Sequence, residues 1–315
     1  MQSKGVSANF SHFILIIVCA LSTRTFGDLF VSSNSTNSVK RYSGVTGGFL
    51  GDFVTSIPNP SGLKFGPDNN LYVTSTTTNQ VKRYSPSGAF IDNFASGAGL
   101  NSPEGITFGP DGNLYVNNYG GGNIERFNGT TGAFMGVFAN PSAQVLDLTF
   151  GPDGNLYVTS SFVGVLRFNC TTGASMGTFA STGSAGISSP VGVRFGPDGN
   201  LYVCGYGNND VKKFNGTTGA FIGNFTVGGH MNLPYGLIFG PDDNLYVNGN
   251  ISNDVERFNG FTGAFIGDFV PAGSGGLSAP YYLTFGNVPE PGLIAVFAFV
   301  MALGVRRPRA SCLLK

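Results

Sequence analysis

The side chains that could do chemistry in this sequence are few, and they are not gathered in one motif. Glu104 and Asp147 are the carboxylates best placed to hold a hard cation or move a proton, and Asn118 could add an amide oxygen. His230 is the one histidine between residues 28 and 287. Metal-assisted hydrolysis or lyase chemistry needs several such groups at one point. Catalysis is therefore kept as an alternative to a binding role.

A repeat of 42 to 45 residues must position these side chains. The segment Leu-Tyr-Val begins at residues 71, 114, 156, 201 and 245, and Leu29-Phe30-Val31 is an earlier copy. Each unit reads as four short strands with alternating apolar residues, separated by the turns Gly-Pro-Asp-x-Asn and Asn-Gly-Thr-Thr-Gly. Strand-rich repeats of this length are typical of β-propeller blades.

The phase of the repeat predicts how the ring closes. The chain enters at the second strand of a unit, at Leu29, and leaves after a first strand at residues 282–285. Pairing these two ends in one blade removes exposed sheet edges. The sequence therefore predicts an all-β fold over residues 28–287. It is a single six-bladed β-propeller with four antiparallel strands per blade, closed by pairing of the N- and C-terminal strands.

Comparison of the units distinguishes two faces of the predicted disc. The two repeated turns barely change and lie on one side, the uniform face. The other connections differ in length and content and lie on the opposite side, the variable face; they span residues 74–80, 95–104, 117–123, 180–191 and 226–235. Ligand sites often lie on variable loops carried by a rigid scaffold, although loops also vary where nothing constrains them. The predicted ligand-binding residues at the ring mouth are Glu104, Asn118, Asp147, Tyr235 and Tyr281.

Charged residues that recur in every unit receive a structural interpretation. A cation on each third strand is expected to pack between blades and to meet acids such as Asp52, Asp92 or Asp268. The aspartate of the Gly-Pro-Asp turn is expected to cap its own backbone rather than bind calcium. Cys170 and Cys204 are interpreted as lone small residues. The six cations are Arg41, Arg83, Arg126, Arg167, Lys213 and Arg257.

The repeated pattern Pro-x-Gly-x-x-Phe-Gly-Pro-Asp-Gly-Asn-Leu-Tyr-Val, followed by Val-x-Arg-Phe, resembles the NHL-repeat family. It is also similar to SMP-30/gluconolactonase and streptogramin-lyase propellers. Glu104, in Ser-Pro-Glu-Gly, resembles the first metal-ligand position of the lactonase-like family, which implies one divalent cation such as Ca²⁺ with Asp147 as a further ligand. Lyases of the second family share acid and base work between histidine and glutamate, which implies Glu104 and His230. The binding interpretation expects no cofactor and no catalytic residue.

The two ends of the chain are predicted to direct export rather than to join the fold. Residues 1–27 resemble a secretory signal peptide, with Lys4, an apolar core over 13–21 and a small residue at Gly27. That apolar core is too short for a membrane span.

Residues 288–315 have three parts: the motif Pro289-Glu290-Pro291, an uncharged apolar run, and the arginines Arg306 and Arg307. Together these parts resemble the PEP-CTERM sorting signal of exported bacterial proteins. The resemblance implies processing by an exosortase-type peptidase and attachment to the membrane through the tail before processing.

The charge balance excludes one class of partner. The whole chain carries 17 Lys and Arg against 17 Asp and Glu, and residues 28–288 carry 11 against 16. A mildly acidic domain without a basic patch is not expected to bind nucleic acid. The sequence therefore predicts a non-catalytic binding or scaffold propeller. The resemblance of the tail to the sorting signal implies that it is exported by a Gram-negative bacterium to the cell envelope, the outer surface or the medium. That resemblance also implies an extracellular polysaccharide or an envelope protein as partner.

Overall fold

The computed structural model describes residues 26–141, 143–226 and 230–287. The predicted sorting signal over 288–315 and nearly all of the predicted signal peptide lie outside these residues. In the described ranges, no helix combines the length and the apolar character that crossing a membrane requires.

The described residues form six sheets of four strands, which are the blades of the propeller. The chain begins with β1 (Asp28–Ser33), β2 (Ser38–Tyr42) and β3 (Phe49–Val54) of blade 1. Blade 2 is β4 (Pro60–Phe65), β5 (Leu71–Ser75), β6 (Gln80–Tyr84) and β7 (Phe90–Ser96). Blade 3 is β8 (Pro103–Phe108), β9 (Leu114–Asn118), β10 (Asn123–Phe127) and β11 (Phe134–Ala139).

The remaining blades repeat this order. Blade 4 is β12 (Leu148–Phe150), β13 (Leu156–Ser160), β14 (Gly164–Phe168) and β15 (Ser175–Ser181), followed by the one-turn helix α1 (Thr182–Ala185). Blade 5 is β16 (Pro190–Phe195), β17 (Leu201–Gly205), β18 (Asp210–Phe214) and β19 (Phe221–Thr226). Blade 6 is β20 (Pro234–Phe239), β21 (Leu245–Gly249), β22 (Asp254–Phe258) and β23 (Phe265–Val270). The last strand is β24 (Pro280–Gly286), and short 3₁₀ turns occupy Asn34–Thr36 and Ser274–Gly276.

The ring closes as predicted, because β24 completes blade 1. It pairs antiparallel with β1, with Asp28 opposite Gly286 and Phe30 opposite Thr284. The innermost strands contact one another in the order β24, β4, β8, β12, β16, β20 and back to β24. Gly27 lies beside Asn287, so both ends of the described chain emerge together on the uniform face.

The Gly-Pro-Asp turn is held by its own carboxylate, as the sequence predicted. In blade 2, Asp68 accepts hydrogen bonds from the backbone N–H of Asn70 at 3.1 Å, its side-chain amide at 2.7 Å, and the Tyr72 hydroxyl at 2.9 Å. One carboxylate therefore fixes the turn and the first aromatic residue of the second strand. The same set of bonds is made by Asp111, Asp153, Asp198 and Asp242.

Aromatic rings fill the space between neighbouring blades. The Tyr72 ring meets Phe94 of its own blade edge-to-face at 4.8 Å and Phe108 of the next blade at 5.0 Å. This geometry adds about 0.5–1.5 kcal/mol per pair to the burial of the rings. It explains why aromatics recur at fixed offsets: each blade can bury its faces only against its neighbours.

The cations of the third strands lie between blades, and their acidic partners are only partly those expected. Arg83 pairs with Asp92, as predicted. Arg41 pairs instead with Asp28, while Asp52 binds its neighbour Lys40 at 2.7 Å. Adjacent strand residues point to opposite faces, so the partner that faces Asp52 is the preceding residue. Asp268 lies opposite Glu256 rather than a cation. Cys170 and Cys204 are both free.

Candidate functional site

Glycine at one position of the innermost strands allows six strands to close around a narrow channel. A Cβ on Gly62 would collide with the carbonyl oxygen of Glu104 in the next blade, and a Cβ on Gly105 would collide with Leu146. Blades 4 and 1 break the pattern, with Asp147 and Tyr282 at the glycine position. These two blades lie opposite each other in the ring, so both larger side chains enter the channel from opposite walls.

Two hydrogen bonds cross the channel and close it. The Tyr235 hydroxyl of blade 6 donates to Glu104 Oε2 of blade 3 at 2.7 Å. The Tyr282 hydroxyl of blade 1 donates to the Leu146 carbonyl oxygen of blade 4 at 2.9 Å. These four residues, which we call the waist, are each no more than 8% exposed. The channel is therefore divided into a mouth on the variable face and a separate opening on the uniform face.

The mouth is lined by tyrosine rings above the waist. Tyr119, Tyr206 and Tyr281 are partly buried and pack against the cluster that contains Tyr235 and Tyr282. The rings of Tyr235 and Tyr281 stack with centroids 4.4 Å apart and an interplanar angle of 16°. Tyr206 meets Tyr235 edge-on at 6.0 Å. The arrangement offers flat apolar surfaces with hydroxyl groups at their edges.

Glu104 lies in the floor of the mouth, and its carboxyl group has a pKa near neutral pH. Burial raises the pKa of its carboxyl to about 7, and the charge of Asp147 adds to this rise. The hydrogen bond from Tyr235 works in the opposite direction, because a donor favours the ionised carboxylate. A carboxyl with a pKa of this kind can give or take a proton near neutral pH.

Asp147 is engaged by protein donors. Its Oδ1 accepts the backbone N–H of Leu148 at 2.9 Å, and its Oδ2 accepts the backbone N–H of Val193 at 3.0 Å and Arg194 Nη1 at 2.7 Å. Burial raises the pKa of this carboxyl, while the three donors favour its ionised form. Asp147 thus ties blade 4 to blade 5 through an ion pair in which the carboxylate is buried and the arginine is partly exposed.

Two other predicted site residues lie away from the mouth. Asn118 holds a loop of the variable face: its Oδ1 accepts the N–H of Asn101 at 2.6 Å, and its Nδ2 donates to Gly99 O at 3.1 Å. His230 stacks on Phe265 of the outermost strand of blade 6, with ring centroids 4.1 Å apart. The structure brings Glu104, Tyr235 and Tyr281 together, with Asp147 next to them, and places Asn118 and His230 elsewhere.

The donor set does not fit the divalent cation that the family resemblance implies. Glu104 Oε2 accepts from Tyr235, and both oxygens of Asp147 accept from N–H groups, one of them an arginine. In the described ranges, no group of three or more His, Cys, Asp or Glu side chains is arranged to hold a metal ion.

Sequence reasoning missed several residues of the channel. Tyr282 was a detectable exception, because it occupies a position that is glycine in four of the six units. Tyr119 and Tyr206 follow the ends of their second strands by one residue, where units differ and no pattern points inward. Lys64 and Arg194, which lie on the uniform side of the waist, occupy a position that is threonine in three of the six units.

Comparison with known proteins agrees with the fold and leaves the activity open. A family model described as "SMP-30/Gluconolactonase/LRE-like region" matches residues 52–162. Curated proteins give no match to this sequence.

Solved propellers resemble the structure at low sequence identity. A streptogramin B lyase is 18% identical with a TM-score of 0.63, covering 82% of this chain and 84% of its own. A chain of a nidogen/laminin complex is 17% identical with a TM-score of 0.68, covering 84% and 99%. A catalytically inactive virginiamycin B lyase variant from Staphylococcus aureus, solved with quinupristin, is 18% identical with a TM-score of 0.58, covering 79% and 86%. Because these structures include both lyases and a nidogen/laminin complex, the likeness supports the propeller fold and assigns no activity.

Proposed function

We propose that this chain is an exported, non-catalytic binding propeller that holds an extracellular polysaccharide at the mouth on its variable face. The observation that carries the proposal is the set of three partly buried tyrosines, Tyr119, Tyr206 and Tyr281, above the floor formed by Tyr235 and Glu104. Sugar rings present apolar C–H faces ringed by hydroxyls. Tyrosine matches both, since its ring is apolar and its hydroxyl bonds at the edge.

The expected location supports this assignment of the ligand. The resemblance of residues 1–27 to a signal peptide and of residues 288–315 to a PEP-CTERM tail implies export and processing by an exosortase-type peptidase. Polysaccharide is the usual association of that sorting family. Both ends of the described chain emerge on the uniform face, beside Gly27 and Asn287. A tail held in a membrane would leave the variable face turned outward.

The state of the two acids favours binding over catalysis. Glu104 is 8% exposed and already accepts a hydrogen bond from Tyr235. Asp147 is 1% exposed and is neutralised by Arg194. Both carboxylates thus serve contacts between opposite or adjacent blades, which a rigid binding scaffold requires.

A second candidate is an enzyme of the lactonase or lyase class. It is favoured by the pKa of Glu104, raised to about 7, since a general acid or base works best with a pKa near the operating pH. The matched family region, residues 52–162, also contains Glu104 and Asp147.

A binding experiment with mouth variants tests the first proposal. Purified full-length protein is titrated with neutral and acidic extracellular polysaccharides, and binding is followed by co-sedimentation and calorimetry. Tyr206→Ala and Tyr281→Ala should each weaken binding about tenfold, equivalent to about 1.4 kcal/mol. Phe261→Ala is the matched control, because Phe261 is 73% exposed in a turn of the uniform face. Equal affinity in all four proteins would place the ligand elsewhere.

An activity assay decides between the two candidates. The same protein is incubated with a panel of lactones and cyclic ester substrates, with and without Ca²⁺. Turnover that Glu104→Gln abolishes, while Phe261→Ala leaves it intact, would replace the binding proposal with the enzyme.

A further inference from the structure

On the uniform side of the waist, the six innermost strands carry a second ring of side chains. Each strand contributes the residue that lies opposite the first aromatic residue of the second strand, as Lys64 lies opposite Tyr72. We call the part of the channel inside this ring the lower well. Its lining is Lys64, Thr107, Thr149, Arg194, Ile238 and Thr284. All except Thr284 are partly exposed, whereas the waist residues are buried.

Two cations face the well from opposite walls. Lys64 lies on β4 and Arg194 on β16, which are three strands apart in the ring of six. Arg194 Nη1 pairs with Asp147 at 2.7 Å. Among residues 26–141, 143–226 and 230–287, no carboxylate lies within ion-pair distance of Lys64. One carboxylate thus balances two cations, and the well carries an excess positive charge.

The lowered pKa of Lys64 is consistent with this excess of positive charge. Burial lowers the pKa of its ammonium group to about 8, the charge of Arg194 lowers it further, and Asp147 opposes this only in part. Two like charges that face each other in a partly desolvated channel repel, and an anion between them would remove that repulsion.

Hydroxyl groups supply further donors around the well. Thr149 and Thr284 make only long contacts of 3.5 Å to the carbonyl oxygens of the residues that follow them. Thr107 presents a third hydroxyl from blade 3, between the walls of Lys64 and Thr149. Such contacts are weak, so these hydroxyls can turn to a better acceptor.

We propose that the lower well binds a small tetrahedral oxyanion, phosphate or sulfate, between Lys64 and Arg194. A tetrahedral oxyanion carries acceptors in every direction, as donors arranged around a ring require. A planar carboxylate presents acceptors on one side only, and a halide makes less use of hydroxyl donors. The waist separates this site from the mouth. The proposal therefore does not depend on which ligand the mouth binds.

Calorimetry and thermal unfolding of the full-length protein test the proposal with inorganic phosphate and sulfate as probes and with chloride at matched ionic strength. We expect saturable binding of the oxyanions with a rise in the unfolding midpoint, and no comparable effect of chloride. Lys64→Met should raise the Kd at least tenfold, and Lys64→Arg should retain binding. Lys82→Met is the matched control, because Lys82 is a partly exposed lysine outside the channel, on β6, whose ammonium group contacts Gln80, Asn93 and the Phe90 ring.

The outcomes separate clearly. Oxyanions that act no better than chloride, or a Kd that Lys64→Met leaves unchanged, would overturn the proposal. Thr107→Val keeps the shape of the side chain and removes its hydroxyl, so it should weaken oxyanion binding several-fold. This variant tests the proposal if Lys64→Met does not fold. Glycerol 3-phosphate distinguishes sources: binding equal to that of phosphate shows that the well accepts the end of a phosphate ester. Binding of phosphate alone restricts the well to the free ion.

Discussion

Tyr235 and Glu104 are 131 residues apart in the chain, yet their side chains meet at 2.7 Å across the centre of the ring. They come from blades on opposite sides, so the contact exists only when all six blades have closed. The same bond forms the floor of the tyrosine-lined mouth and opposes the rise in the pKa of Glu104 that burial causes. Closure of the fold and construction of the candidate site are therefore one event, and mutations at this pair should report on both.

Removing the donor should destabilise the ring. Tyr235→Phe leaves the buried Glu104 carboxylate without its hydrogen bond, which should lower the free energy of unfolding by about 1–3 kcal/mol. The pKa of Glu104 should also rise above about 7, because the donor that favours ionisation is gone. Urea unfolding at pH 8 measures the loss. Tyr281→Phe is the control, since this ring stacks on Tyr235 through its face; equal losses in both variants would contradict the prediction.

The raised pKa of Glu104 predicts how stability depends on pH. The folded protein binds this proton up to about pH 7, whereas the unfolded chain releases it near 4.5. The protonated carboxyl therefore stabilises the fold fully below pH 4.5, and this contribution is lost as the pH rises to about 7, by about 3 kcal/mol in total. Glu104→Gln should lack this dependence while keeping an acceptor for Tyr235.

The comparison is made by urea unfolding of both proteins at several pH values between 4 and 9. The wild type should lose stability relative to Glu104→Gln between pH 4.5 and about 7, and the two curves should run parallel at higher pH. Glu256→Gln provides a second check, because burial raises the pKa of Glu256 to about 8. The stability of the wild type relative to Glu256→Gln should therefore continue to fall up to about pH 8. A wild-type curve parallel to Glu104→Gln throughout would show that Glu104 ionises normally.

The repeated turn should be sensitive to its aspartate. Asp111→Ala removes the acceptor of three hydrogen bonds, two from Asn113 and one from Tyr115, and should lower the free energy of unfolding by about 2 kcal/mol. The pKa of Asp111 is lowered by these donors despite some burial, so its contribution is present above about pH 4 and is lost as the pH falls. Asp243→Asn is the control: this residue has φ of 60°, which asparagine tolerates. An equal effect at both positions would contradict the assignment.

The fold was largely predictable from sequence, and so was the position of Glu104, Tyr235 and Tyr281 at the mouth, whereas the contacts across the channel were not. Gly-Pro-Asp turns and alternating strands are local signals, and the phase of the repeat at Leu29 was enough to predict that β24 completes blade 1. The contacts that close the channel join Tyr235 with Glu104 and Tyr282 with Leu146, which are distant in sequence and lie at positions where the units differ. A repeat describes what its units share, so it says little about residues that act because their unit differs.

The glycines of the innermost strands should be intolerant of even one methyl group. Gly62→Ala would place a Cβ against the Glu104 carbonyl oxygen, where backbone cannot yield, and should destabilise the protein by more than about 2 kcal/mol. Gly223→Ala is the matched control in the outer strand β19, where nothing lies within 4 Å of the added atom. Urea unfolding of the two variants measures the difference. Similar midpoints would mean that the inner strands can spread apart.

The orientation of the propeller at the cell surface can be measured with thiol labels. Cys170 lies in a turn of the uniform face and is partly exposed, whereas Cys204 is buried. If the tail holds the protein at a membrane, an impermeant maleimide on intact cells should label Gln144→Cys, on the variable face, and should react slowly with Cys170. Labelling of cells that carry the Cys170→Ser variant measures the background from cysteines outside the described residues, and this background is subtracted. After release of the protein from the cells both sites should react alike, because the membrane no longer covers the uniform face. Fast labelling of Cys170 together with protection of Gln144→Cys would reverse the orientation and would turn the tyrosine mouth toward the membrane.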